Sequence, residues 1–305
     1  MSNTFVPYSV AAVTPFTEDG DFDAEQVPPL IAHMVKTAPA LLVCGSTGEQ
    51  HCLSVAERSE LYQLSRTAAG PSYPLYFGVA AFKTKDAVAL ARAAHAAGAH
   101  GIMLGFPPYR IPSQEQIEAY VRAVAAATPV PLFLYNNPRR TGFALEAGTF
   151  ARLACEVPTV LGLKEAGARE NVKAAQALLS ETTAKAELAY FSGSDATFIS
   201  SCATHGYTGL TSIMGNVYPA EMQAVSDCIQ SGDAAGAAEI MGGIKVGVDL
   251  IASAGGGVLP SIKYVLRCRG VSAGYCSAPC GHVAEEQKAA LNAHFGLVAS
   301  GSDVA

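Results

Sequence analysis

Short apolar runs alternate with alanine-rich segments of helical spacing along most of this 305-residue chain. About eight such strand–helix units fall within roughly 220 residues, the size of a closed barrel. No Gly-x-Gly-x-x-Gly turn follows the first strand, which disfavours a doubly wound open sheet. These observations predict an α/β fold, a (β/α)₈ TIM barrel with a C-terminal helical appendage.

The predicted strands are residues 10–13, 41–44, 75–79, 101–104, 132–135, 160–163, 188–191 and 209–212. Each is a short apolar run of the kind buried in parallel sheets. Between them, residues 55–69, 84–97, 114–127, 145–154, 169–179 and 196–204 carry helical patterning. After Pro219 the texture changes, and residues 220–231, 234–253, 260–269 and 284–298 read as helices. The first of these finishes the barrel. The expected division is a catalytic barrel over 1–225 and a helical region over 226–305 packed on it. Gly255-Gly256-Gly257 is a turn between two of the late helices. It follows no strand and precedes no Gly-Lys-Ser, so it is not a phosphate loop.

Hydrophobic residues make up 50% of the chain and charged residues 15%, which implies much buried surface and room for a subunit interface. The net charge is −6 and no basic stretch stands out, so nucleic acid is not an expected partner. Met1-Ser2-Asn3-Thr4-Phe5 lacks the basic region and apolar core of a secretory signal. No uninterrupted apolar stretch is long enough to span a bilayer. A cytoplasmic protein without membrane contact is expected. The 8 cysteines are scattered without Cys-x-x-Cys spacing, and reduced thiols are the default. Cys268, Cys276, Cys280 and His282 form the one cluster with metal-binding side chains, but its spacing fits no familiar zinc pattern. No metal is expected there.

Chemistry in such a barrel sits at the C-terminal ends of the strands. Lys164 closes the apolar run Val160-Leu161-Gly162-Leu163, which carries it to the rim of a core. Desolvation there disfavours the ammonium form, and a neutral lysine can attack a carbonyl to form an imine. A snorkelling strand-end lysine is the bland alternative. After the second strand, Gly45-Ser46-Thr47-Gly48-Glu49 frames two hydroxyls ahead of a helix start, a compact receptor for a carboxylate. A turn with a helix cap would use the same residues. After the fourth strand, Phe106-Pro107-Pro108-Tyr109 stiffens a loop and presents a tyrosine. The fifth strand ends in Tyr135-Asn136-Asn137-Pro138-Arg139-Arg140. Tyr135 could shuttle protons, and Arg140 could clamp a carboxylate. An ordinary Asn/Pro turn with solvated arginines is the alternative. Ser192-Gly193-Ser194-Asp195 and Thr211-Ser212-Ile213-Met214-Gly215-Asn216 end the last two strands, where backbone groups could line a pocket. Asp195 could equally cap a helix. An amine, a phenol and a carboxylate receptor around one mouth suit condensation with a 2-keto acid.

These motifs resemble the family of dihydrodipicolinate synthase and N-acetylneuraminate lyase, the class I pyruvate-dependent aldolases. The similarity runs from Val10-Ala11-Ala12-Val13-Thr14-Pro15-Phe16 to about Pro260 and includes Gly162-x-Lys164-Glu165 and Ser192-Gly193-x-Asp195. The resemblance implies that Lys164 forms the imine and that Tyr135 donates and accepts protons. It implies a relay through Ser46, completed by Tyr109 from a neighbouring subunit. Thr47 would bind the pyruvate carboxylate, and the backbone at Thr211 and Gly193 would line the same pocket. It implies no cofactor, small-molecule substrates (pyruvate and an aldehyde) and a homo-oligomer, dimer or tetramer. Arg140 resembles the arginine at which synthases receive aspartate semialdehyde. Ser46 in place of Thr resembles instead the lyases and sugar-acid aldolases, and Pro108 replaces a tyrosine that synthases usually have just before Tyr109. An aldolase or dehydratase for N-acetylneuraminate or a 2-keto-3-deoxy sugar acid is therefore the second reading. Val55 stands where lysine-inhibited synthases have a histidine, which predicts weak or absent feedback by lysine. A catalytically silent scaffold is the third reading, and the joint presence of Lys164, Tyr135, Ser46 and Tyr109 argues against it.

Overall fold

The computed structural model describes residues 5–182, 188–253 and 257–297. Residues 1–4, Gly255-Gly256 of the glycine turn and residue 298 of the last predicted helix lie outside the described residues. In chain order the elements are β1 (Tyr8–Ala11), α1 (Val27–Met34), β2 (Leu41–Val43), α2 (Val55–Ala69), β3 (Leu75–Val79), α3 (Thr84–Ala96), β4 (Gly101–Gly105) and α4 (Gln114–Ala125). They continue with β5 (Leu132–Asn136), α5 (Pro138–Thr141), α6 (Ala147–Glu156), β6 (Val160–Glu165), α7 (Glu170–Ser180), β7 (Ala189–Ser192), α8 (Phe198–His205) and β8 (Gly209–Ser212). Four helices follow: α9 (Pro219–Gln230), α10 (Ala234–Ser253), α11 (Val258–Cys268) and α12 (Glu285–Phe295). The strands are parallel and pair in sequence order, and β8 returns to β1 through Tyr8↔Leu210, Ser9↔Thr211 and Val10↔Ser212. The predicted closed barrel with C-terminal helices is what forms.

Differences lie at element ends. β1 begins two residues before the predicted start, at Tyr8. β6 runs through Lys164 and Glu165, so the lysine is a strand residue rather than the one after it. α1, with Pro28 and Pro29 in its first turn, is a helix that the spacing did not single out. Where an ordinary Asn/Pro turn was the alternative reading, α5 forms one helical turn, ended by Gly142 in the left-handed region. Among the described residues, no helix is long and apolar enough to cross a membrane.

Side chains alternate along each strand, so one set fills the barrel and the other meets the helices. Tyr76, Phe133 and Phe191 meet edge-on inside the barrel, with ring centroids 5.5 Å apart for Tyr76–Phe133 and for Phe133–Phe191. Phe5 closes this layer against Phe191. Gly162 belongs to the same face, because a Cβ there would meet Phe133 Cδ1 at 2.8 Å. Two residues further along β5 and β6, the same inward face presents Tyr135 and Lys164. The outward residues Leu104, Leu134 and Leu163 pack in the large core with Leu90, Val121, Phe150 and Val172 from the helices. Packing on both faces therefore fixes which way the lysine points.

Candidate active site

Tyr135 and Lys164 are register partners on β5 and β6. The Lys164 Nζ lies 4.6 Å from the centroid of the Tyr135 ring. Lys164 is 5% exposed. Burial holds its pKa below the ordinary lysine value; the charges of Tyr135 and Asp195 oppose this, and that of Arg140 adds to it. Asn137 donates from Nδ2 to the Tyr135 hydroxyl at 2.7 Å.

Glu165 is buried, and its carboxylate accepts from Asn136 Nδ2 at 2.8 Å, Asn171 Nδ2 at 2.9 Å and Gly167 N–H at 2.6 Å. Burial raises its pKa, against these three hydrogen bonds that favour the anion. Asn136 also accepts from the Leu145 N–H at 2.9 Å. The network ties the ends of β5 and β6 to α7 and so holds the Tyr135–Lys164 pair in place.

Asp195 does not cap α8, whose N-cap is Thr197. It reaches across to the end of β8, where Ser212 Oγ, Ile213 N–H and Met214 N–H donate to its carboxylate. Burial raises its pKa, while these donors and Lys164 draw it down. The Gly193 N–H donates to the Glu165 carbonyl at 3.0 Å, and Gly215 N–H donates to Ser212 Oγ at 2.8 Å. Amides at residues 193 and 213–215 are thus spent on joining strand ends and are not offered to a ligand. Gly193 is required by close approach, since a Cβ would stand 2.7 Å from Ala166 Cβ. Thr211 is buried in β8, and its Oγ1 accepts from Ser9 Oγ at 3.2 Å.

The segment 45–49, read as lying just ahead of a helix start, does not lead directly into α2. The Gly45 and Ser46 carbonyls accept from Gln50 and Glu49 N–H, a 3-10 turn follows, and α2 begins at Val55 under a Ser54–Glu57 capping box. The Glu49 and Gln50 amides are therefore spent inside the segment, and the Ser46 and Thr47 hydroxyls are the side-chain donors it can offer a carboxylate. Glu49 is buried, with φ 49, and its Oε1 lies 2.5 Å from Lys263 Nζ. Lys263 also donates to the Thr14 and Tyr275 carbonyls at 2.6 and 2.5 Å. Thus α11 reaches back to anchor the loop that carries Ser46 and Thr47. Sequence reasoning missed this pair. Its one signal was a lysine inside Ile262-Lys263-Tyr264-Val265-Leu266, a run buried throughout.

A cleft of about 710 Å³ opens at the strand ends, and its wall includes Ser46, Phe106, Pro108, Tyr135, Asn137 and Arg140. Lys164 lies against Tyr135, which forms part of that wall. Arg140 is exposed on α5, and Thr47 is half-buried beside Ser46. Tyr109 is not brought to this cleft: it is 94% exposed and holds a left-handed φ of 77. Cys268, Cys276, Cys280 and His282, where no metal was expected, do not gather as a set among the described residues; Cys276 and Cys280 lie with Glu49 instead.

A closed parallel barrel with a buried, desolvated lysine beside a phenol at its strand ends has the build of the lysine-dependent aldolases. The sequence model of the Dihydrodipicolinate synthetase family matches residues 4–296, and the chain belongs to that family, among the class I pyruvate-dependent aldolases. It is 38% identical over 241 residues to a 4-hydroxy-tetrahydrodipicolinate synthase of Sorangium cellulosum, covering 78% of this chain and 76% of the relative. It is 34% identical over 294 residues to 4-hydroxy-tetrahydrodipicolinate synthase 1 of Streptomyces coelicolor, covering 95% and 93%. The crystal structure of dihydrodipicolinate synthase from Aquifex aeolicus superposes with a TM-score of 0.87 at 25% identity, covering 96% of this chain and 99% of that one.

Proposed function

We propose that this chain is a 4-hydroxy-tetrahydrodipicolinate synthase, condensing pyruvate with aspartate semialdehyde through an imine on Lys164. The observation that carries the reading is the buried Lys164 amine 4.6 Å from the Tyr135 ring centroid. The neutral amine adds to the pyruvate carbonyl, and loss of water gives the imine. Loss of a methyl proton gives the enamine, whose carbon attacks the aldehyde. The amino group of the acceptor then displaces Lys164, which regenerates the free enzyme. Tyr135 moves the protons of carbinolamine formation and dehydration. Ser46 and Thr47 grip the pyruvate carboxylate, and Arg140 at the cleft wall receives that of the acceptor. Thr211 and Gly193 shape the floor of the pocket.

Tyr109 is exposed and lines one surface hollow with the exposed Phe82 and Ile111. We infer that this patch meets a second copy and that Tyr109 completes the Ser46–Tyr135 relay of the neighbour. That requires at least a dimer, with a tetramer as a pair of dimers. All 8 cysteines are unpaired, which fits a cytoplasmic setting.

Borohydride trapping with pyruvate, followed by peptide mapping, tests the reading. The expected result is a reduced pyruvate adduct on Lys164, with turnover of aspartate semialdehyde in an aldehyde screen. No adduct on a folded sample would refute it. An adduct with turnover only of N-acetylmannosamine or a sugar-derived aldehyde would select the sugar-acid aldolase.

A further inference from the structure

The loop after β2 and the segment between α11 and α12 meet at Glu49. One oxygen of its carboxylate and the Sγ atoms of Cys276 and Cys280 all lie within 4.8 Å of one another. The arrangement is held by backbone. Cys280 N–H donates to the Ser277 carbonyl at 3.0 Å, a turn that brings Cys280 back beside Cys276. Ser277 N–H donates to Glu49 Oε2 at 3.0 Å, and Tyr275 N–H to the Phe16 carbonyl at 2.8 Å. Cys276 is buried, Cys280 is half-buried, and a cavity of about 180 Å³ opens onto Cys276.

We propose that Glu49, Cys276 and Cys280 form a binding site for a thiophilic divalent cation of the zinc class, held by two thiolates and one carboxylate oxygen. With bonds of about 2.3 Å to sulfur and 2.1 Å to oxygen, the ligand atoms of a tetrahedral site stand about 3.6–3.8 Å apart. The three atoms therefore need to close by about 1 Å at most, which side-chain rotation supplies. The adjoining cavity admits water as the fourth ligand. Each thiol releases its proton to solvent on binding, and no oxidant is needed. Two thiolates and a carboxylate carry three negative charges, which the cation and Lys263 together balance. Lys263 keeps the Thr14 and Tyr275 carbonyls when Glu49 turns to the cation, so its ammonium is not stranded. Sequence spacing hid the site because its third donor comes from the loop after β2.

Cobalt(II) titration of the full chain, stripped with a chelator and kept reduced, tests the site on the resting protein. The readout does not depend on whether Lys164 forms an imine. Expected are one equivalent bound, intense visible bands of tetrahedral cobalt, a thiolate charge-transfer band in the near ultraviolet, and displacement by zinc. Cys280→Ser should weaken cobalt binding and cut the charge-transfer band to about half or less, whereas Cys268→Ser should leave it unchanged, with circular dichroism confirming that each variant is folded. Absence of these bands in the wild type would overturn the proposal, as would bands of undiminished intensity and affinity in Cys280→Ser.

Discussion

Lys164 and Tyr135 face each other across adjacent strands, amine over ring at 4.6 Å, one layer beyond the Phe133–Phe191 pair that fills the barrel. The aromatic layer keeps water from one side of the amine, and Tyr135 covers another. Desolvation is thus the main cause of the lowered lysine pKa.

The pH dependence follows from that shift. Only the neutral amine attacks pyruvate, so the trapping rate should rise with pH and level off above the folded-state pKa, at a midpoint below 10.5. Stability carries the same sign. Between the folded and unfolded pKa values the unfolded chain binds more protons, so stability rises with pH across that window. Below the folded pKa the full cost of a buried ammonium is present; above the unfolded pKa it is absent. Lys164→Met should remove this dependence, abolish trapping and stabilise the fold below the window by about 1 kcal/mol. Denaturation at several pH values measures the difference, and parallel curves for the two proteins would contradict the burial argument.

Tyr135→Phe separates the ring from the hydroxyl. The ring keeps its place over Lys164, and the hydroxyl loses only its bond from Asn137. Turnover should fall by about 10²–10⁴ with the melting temperature nearly unchanged. Turnover within a few-fold of wild type would remove Tyr135 from the proton path.

The barrel was legible because each strand is an apolar run and most of the helices are periodic ones; α1, which carries Pro28 and Pro29, was missed. Lys164 was legible because a charge inside such a run is anomalous. Element ends were not: α5 begins at Pro138, a residue equally at home in a turn or at a helix start. Asp195 and Glu165 were seen as motif members, but their partners Ser212, Ile213, Asn136 and Asn171 come from other elements. The reach of Lys263 to Glu49 depends on how α11 docks on the barrel, which spacing does not encode. The trans role proposed for Tyr109 rests on resemblance and on its exposure, because a residue supplied to a second copy leaves no mark in one chain's periodicity.

The Lys263–Glu49 pair should behave as a buried ion pair in a double-mutant cycle. Lys263→Met leaves the Glu49 carboxylate buried without its cation, and should cost about 3–5 kcal/mol. Lys263→Met with Glu49→Gln should recover a large part of that. Denaturant unfolding of the four proteins gives the coupling. Additive losses would mean that the pair does not act as a unit, and that Lys263 works through its bonds to the Thr14 and Tyr275 carbonyls instead.

Arg140 should have two effects that pH can separate. It is exposed at the cleft wall, where a charged hydrogen bond to an acceptor carboxylate contributes about 1.5–3 kcal/mol. Arg140→Ala should therefore raise KM for aspartate semialdehyde roughly 10-fold or more. Its charge also pushes the Lys164 pKa down, so its removal should move the midpoint of pyruvate trapping to higher pH. Well above that midpoint the trapping rate should match wild type, because the amine is then neutral in both proteins. A comparable loss in trapping and in aldehyde use at high pH would place Arg140 on pyruvate rather than on the acceptor. The case for a carboxylated aldehyde would then fall.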